Sequence, residues 1–244
     1  MSIDPVVHLS HLRRETGLFA EALRRGPLDA PIAACPGWDM QTLGRHLATV
    51  HAWAETAART GEPTRFIDVE LPADGDIAGW YQGYADRLIG TLSTLDPDAP
   101  TWHIFPVERV NRVWPRRQAH ETMVHRWDAE RAGGSTTPFD PTVASDGIDE
   151  YFEVMLPRLM KREGGVLPAA SLHVHCTDTA GEWLIRAGDG ALTVVREHAK
   201  GDAALRGRAE DLLLRLWGRE VAEGGVEIVG DPDAATAWLT LGGL

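Results

Sequence analysis

The sequence predicts an α+β protein, with a helical N-terminal part over residues 1–163 followed by a smaller mixed α/β unit over residues 166–244. Three observations carry this. Apolar residues recur at spacings of three and four through the first 160 positions, with turn signals far apart. At Gly164-Gly165 the texture changes to short β-branched or alternating runs. The length of 244 residues, with 43% hydrophobic and 25% charged residues, is that of a globular chain able to bury its own core.

The elements follow in order. Leu9, Leu12, Phe19 and Leu23 mark a first helix that stops near Gly26-Pro27. After Cys35-Pro36-Gly37-Trp38, Asp39 is placed to cap a second helix from Met40 to Arg59. A third spans about Ile77 to Leu95 and ends at Asp96-Pro97. The fourth starts near Pro115, a residue suited to a first turn, and ends at Gly133-Gly134. A fifth is expected from about Ser145 to Lys161. Beyond the junction, Ser171–Asp178, Glu182–Ala187 and Ala191–Glu197 are expected strands, with Gly188-Asp189-Gly190 a hairpin signal between the last two. A helix from Ala203 to Arg219, a strand from Val226 to Val229 and a short helix from Asp233 to Leu241 complete the chain.

Composition excludes several functions. Thirty-six acidic against 24 basic residues give a net charge of −12, which repels phosphate backbones and anionic membranes and argues against a nucleic-acid partner. All the basic residues but Lys161 and Lys200 are arginine, the bias of a GC-rich genome. Cys35 and Cys176 are too few for a disulfide framework. Without a basic, apolar leader at MSIDPVVHLSHLRRE or a run of roughly 18 apolar residues, the expected location is the cytoplasm, with no membrane partner. The nine tryptophans are expected mainly as buried packing anchors.

The chemistry-bearing residues cluster on two helices. Leu43, Leu47, Val50, Ala54 and Ala57 form the second helix's apolar stripe; His46 lies about 50° from its centre and His51 about 90° away, nearer the edge. His46 is therefore the better candidate for anything built inside the bundle. On the fourth helix Glu121 and His125 are one turn apart and can converge on one cation. With His46 from a neighbouring helix they would give three protein ligands and an open position, the arrangement of a catalytic zinc. Periodicity leaves the choice open: Ala119, Met123 and Trp127 lie on the opposite side, which would expose Glu121 and His125, but Arg116, His120 and Arg131 share that opposite side. His173 and His175 sit on one face of a strand and read as half-buried strand residues without nearby ligands. Cys35 reads as a packing residue rather than a reactive thiol. No nucleophile motif or phosphate-binding glycine loop is present.

Three stretches resemble the mycothiol-dependent maleylpyruvate isomerase family, a branch of the DinB-like metalloenzyme superfamily. They are Cys-Pro-Gly-Trp-Asp with Leu-Gly-Arg-His-Leu (Cys35–Leu47), Ala-His-Glu-Thr-Met-Val-His-Arg-Trp-Asp-Ala-Glu (Ala119–Glu130), and Gly201–Leu214. The resemblance implies a DinB-like four-helix bundle followed by a small α/β domain similar to sterol carrier domains. It also implies a metal centre of His46, Glu121 and His125, holding zinc or another divalent metal, with mycothiol as thiol cosubstrate. A zinc-bound thiol loses its proton, and the thiolate adds to a small electrophile, as in an isomerase or an S-transferase. An actinobacterial source follows from the use of mycothiol. A C-terminal arginine assisting catalysis would be one of Arg206, Arg208, Arg215 and Arg219, among which the sequence does not choose. The alternatives are a zinc hydrolase of amide bonds and a non-catalytic ligand- or partner-binding protein.

Overall fold

A computed structural model describes residues 3–163, 166–188 and 191–242. Four helices come first: α1 (Pro5–Arg25), α2 (Met40–Thr60), α3 (Ile77–Leu92) and α4 (Val113–Ala132). Each start has a chemical reason where an aspartate stands just before it. The Asp4 carboxylate accepts from Val6 N, Asp39 from Thr42 N and Asp76 from Gly79 N. These carboxylates satisfy amides that the first turn leaves open. Replacing Asp39 with alanine is expected to cost about 1 kcal/mol. A lower urea midpoint with an unchanged denaturant slope would check it.

Within this unit α1 packs on α3 and α4, and α2 packs on α3 and α4, which closes a four-helix bundle. Its core draws on all four helices, with Phe19, Leu43, Leu47, Tyr81 and Ala129 fully buried. Contacts group Met1–Ile104 and Glu108–Thr137 into this unit, and Phe105–Val107 and Pro138–Leu244 into a second.

The second unit opens with α5 (Pro141–Glu150), a π-helical turn (Tyr151–Met155) and α6 (Leu156–Glu163). The expected fifth helix thus begins four residues earlier, where Asp140 caps Thr142 N and Val143 N and Pro141 takes the first position. Pro157 offers no amide to the Glu153 carbonyl and its ring crowds that position, so the turn before it widens. Residues 141–163 group with the sheet rather than with the first four helices, whereas the expected junction was 163–166. The grouping has visible causes: α5 packs on α7 (Ala209–Leu216), Ser145 Oγ donates to Ala180 O at 2.9 Å, and the Trp183 indole donates to the Asp149 carboxylate. Gly164-Gly165 and the Asp189-Gly190 part of the hairpin signal lie outside the described residues.

The sheet has five strands, β1 (Leu172–Cys176), β2 (Glu182–Gly188), β3 (Ala191–Val195), β4 (Ala203–Gly207) and β5 (Val226–Gly230), in the order β3-β2-β1-β4-β5. Only β1 and β4 pair in parallel. The helix expected from Ala203 to Arg219 is corrected here: Ala203–Gly207 is a strand and the helix α7 starts at Ala209. Ala-Ala-Leu-Arg favours a helix locally, but its backbone is claimed on both sides by β1 and β5. The Asp178 carboxylate then accepts from Ala209 N at 2.9 Å and sets where α7 can begin. Leu172, Val174 and Leu205 share one fully buried face with Trp183 and Ile185. A final helix, α8 (Pro232–Leu239), packs on β1, β4 and β5 and sends the Trp238 indole to Ala170 O at 2.8 Å.

Candidate metal centre

The centre begins with a turn. In Cys35-Pro36-Gly37-Trp38, Trp38 N donates to Cys35 O at 2.9 Å, and Gly37 takes φ 83°, a conformation that side-chain-bearing residues rarely adopt. The turn delivers Trp38 and the cap Asp39 directly to the start of α2. His46 then lies under the Trp38 indole, ring centroids 4.8 Å apart. The same indole stacks at 25° over His125 of α4, at 6.5 Å.

His46, Glu121 and His125 offer one ligand atom each, all within 4.8 Å of one another. His46 Nε2 is 3.3 Å and His125 Nε2 is 3.6 Å from the same oxygen, Glu121 Oε1. A tetrahedral zinc with bonds of about 2.0–2.1 Å places neighbouring ligand atoms about 3.3–3.4 Å apart, so these spacings fit an ion with little movement. The side chains are 26%, 19% and 13% exposed, which leaves the centre reachable from one side.

The atoms that do not point inward are held. Arg117 Nη2 donates to Glu121 Oε2 at 2.8 Å, and His125 Nδ1 donates to Asp128 Oδ2 at 3.0 Å. The first leaves Oε1 for the shared centre. The second fixes the tautomer in which Nε2 of His125 carries the free lone pair. Burial by itself raises the Glu121 carboxyl, but the Arg117 charge and the hydrogen bonds from His125 and His46 outweigh it and hold it well below the usual carboxylate range. Burial pushes His125 down, but its hydrogen bonds to Asp128 and Glu121 prevail and raise it. A cation entering the centre therefore meets a carboxylate held in its charged form and an imidazole whose Nδ1 is already engaged by Asp128.

The sequence left the outward or inward sense of α4 open because its apolar pattern is weak. The reason is that α4 is covered by α1 and α2, so Met123 and Trp127 are buried as well. Arg117 and Asp128 were missed as functional residues, although they stand four residues before Glu121 and three after His125, spacings that put them on the same helix face. Trp38 was seen only as part of a motif. Cys35, expected as packing, brings its sulfur within 4.8 Å of ligand atoms of His125 and Asp128.

His51 is not at a helix edge, as its angle implied, but wholly buried. Its ring nitrogens lie 2.8 Å from Gln118 Oε1 and 3.1 Å from Tyr81 OH, which spends both away from the centre. Burial pushes its pKa down to about 4 against the opposing effect of the Gln118 bond. Of the C-terminal arginines, Arg206 is on β4 near Glu227, Arg208 precedes α7 near Asp178, Arg215 is on α7, and Arg219 is buried with Nη1 on Trp217 O. His173 and His175 do have ligands nearby, contrary to expectation, because β1 pairs with β2 and brings Glu182 opposite His175.

Residues 9–130 match the family model of the mycothiol maleylpyruvate isomerase N-terminal domain, and residues 142–237 match that of the same family's C-terminal domain. A crystal structure of the mycothiol-dependent maleylpyruvate isomerase aligns over 93% of both chains, with a TM-score of 0.61 and 12% identity. A mutant of an enzyme of that description, with a histidine replaced by alanine, aligns over the same shares with a TM-score of 0.60 and 12% identity. At that identity the likeness is one of fold. A UbiJ-SCP2 ubiquinone synthesis protein aligns with 43% of this chain and 93% of its own at 19% identity, but its TM-score of 0.31 supports no argument. No curated protein matches the chain in sequence.

Proposed function

Since the chain belongs to the mycothiol maleylpyruvate isomerase family, we propose that it is an enzyme that activates the thiol of mycothiol for addition to a small electrophile, at a divalent metal centre of His46, Glu121 and His125. The observation that carries this is the convergence of two imidazole nitrogens on one carboxylate oxygen whose partner oxygen is already held by Arg117. A zinc or similar ion bound there would supply the positive charge that makes a thiol ionise near neutral pH. A free thiol near pKa 8.5 needs a fall of only about two units, at about 1.4 kcal/mol each, to be nearly all thiolate at pH 7.

The chain's own residues do the rest. Arg117 keeps Glu121 ionised and oriented, and Asp128 keeps His125 Nε2 turned to the centre. Trp38 covers the imidazoles with an apolar ring and limits water on that side. The thiolate then adds to an electrophilic carbon. If the addition reverses after rotation about the former double bond, the outcome is isomerisation; if it persists, the outcome is an S-conjugate. Both outcomes share the same thiol activation. The likeness to solved structures supports a bundle that can present these ligands together, and the location proposed for the enzyme is the cytoplasm, consistent with the lack of any described helix long and apolar enough to cross a membrane.

Cobalt in place of zinc tests the reading. Mycothiol is expected to produce sulfur-to-metal charge-transfer absorption, and omission of the thiol to abolish turnover of an electrophilic substrate such as maleylpyruvate while metal content stays the same. Amide cleavage that proceeds without thiol and is suppressed by it would instead identify a metal-bound water as nucleophile and overturn the proposal.

A further inference from the structure

We propose that His173, Glu182 and His198 form a second metal site, with His175 holding the Glu182 carboxylate, on the sheet of the C-terminal unit and independent of the centre on the helices. Its residues come from three consecutive pieces of chain. His173 and His175 alternate onto one face of β1. The antiparallel register sets Glu182, the first residue of β2, directly opposite His175. His198 follows β3, whose pairing with β2 returns the chain to the same region.

The three imidazoles surround one carboxylate. Glu182 Oε1 lies 2.6 Å from His175 Nδ1; Glu182 Oε2 lies 2.7 Å from His198 Nδ1 and 3.8 Å from His173 Nε2. Ring centroids of His173, His175 and His198 are 5.8–6.3 Å apart pairwise. His173, Glu182 and His198 present ligand atoms all within 4.8 Å of one another.

One nitrogen of the group lacks a hydrogen-bond partner: His173 Nε2 is buried and unpaired, whereas His175 Nδ1 is engaged by Glu182 Oε1. The His173 side chain is only 9% exposed, so water is largely excluded from it. An orphaned lone pair in such a position costs free energy unless something accepts it. A cation bound beside Glu182 Oε2 meets His173 Nε2 and His198 at once. Imidazole with a single carboxylate, and no thiolate, selects zinc(II), nickel(II) or copper(II) over calcium or magnesium, which need several oxygens. Tetrahedral spacing of about 3.3 Å requires the 2.7 Å pair of His198 and Glu182 to open by about 0.6 Å. His198 can supply that movement, since its side chain is 84% exposed.

Zinc titration of the full chain against a chromophoric chelator tests the site. The unaltered chain is expected to take up two equivalents and the His198→Ala chain to bind the second at least about ten-fold more weakly, the least effect seen even for an outer-shell partner. A His46→Ala/His125→Ala chain is expected to keep one equivalent, and with cobalt to show the visible absorption of a tetrahedral site. His198 is exposed, so its replacement leaves the fold intact. Absence of metal from the His46→Ala/His125→Ala chain while the unaltered chain binds a single equivalent would overturn the second site, as would binding indifferent to His198→Ala. Failure of the first centre alone would appear differently, as one equivalent in the unaltered chain that His198→Ala weakens.

Discussion

Glu121→Ala is expected to abolish stoichiometric metal binding at the helical centre, lowering affinity by more than about 100-fold. The bound comes from comparison with its neighbours. Loss of an orienting partner costs about 10–100-fold, and Asp128→Ala, which removes only the hold on His125 Nδ1, is expected in that range. Glu121 is the hub: both imidazoles approach its Oε1, and it carries the one carboxylate of the trio. His46→Ala and His125→Ala are expected to show losses of the same order. His51→Ala is the control. It leaves Gln118 and Tyr81 without their buried partner and is expected to cost about 1–3 kcal/mol of stability, yet to retain the metal. Metal analysis of these chains, with thiol-dependent turnover measured beside it, checks the order. Metal loss from His51→Ala equal to that from His46→Ala would show that the imidazole is misassigned.

The second large effect is on stability. Arg126 of α4 is fully buried and donates through Nε to Glu15 Oε2 of α1 at 2.7 Å, and through Nη1 to Glu130 Oε2 at 2.8 Å and to Thr137 O. Glu15 is 1% exposed. A charge in such a place is tolerable only while its partner is present. Glu15→Ala is expected to destabilise the chain by about 1.5–3 kcal/mol, a fall in melting temperature of roughly 3–12 °C for a chain of this size. The cost is mostly that of a buried guanidinium that keeps Glu130 and Thr137 but loses one of its two carboxylates, not the worth of the pair. Replacing both, as in Glu15→Leu with Arg126→Met, is therefore expected to cost less than either single change. Thermal and urea unfolding followed by far-ultraviolet circular dichroism measure both. A double variant as unstable as the sum of the singles would mean that the pair itself contributes net stability.

Some of this molecule follows from local chemistry and is therefore visible in the sequence. Asp39 before Met40 caps a helix because a carboxylate beside free amides does so in any setting. Gly37 permits the turn that places Trp38, and Glu121 and His125 share a helix face because they are one turn apart. The alternation at His173 and His175 likewise puts two imidazoles on one strand face. What each of these meets is a matter of partners distant in the chain. Angle on an isolated helix put His51 near an edge, but packing of α2 against both α3 and α4 leaves α2 no such edge there. Ala203–Gly207 has helix-forming residues and is a strand because β1 and β5 hydrogen-bond it on both sides. The weak apolar pattern of α4 could not choose the face of Glu121, since burial by two neighbours blurs the periodicity that one neighbour would impose. Glu182 and His198 come to the HxH pair only through strand register. Local spacing thus determined which groups could act together, and non-local pairing decided which of them meet, because a side chain's periodicity records the average surroundings of its own element and not the identity of the atom across the contact.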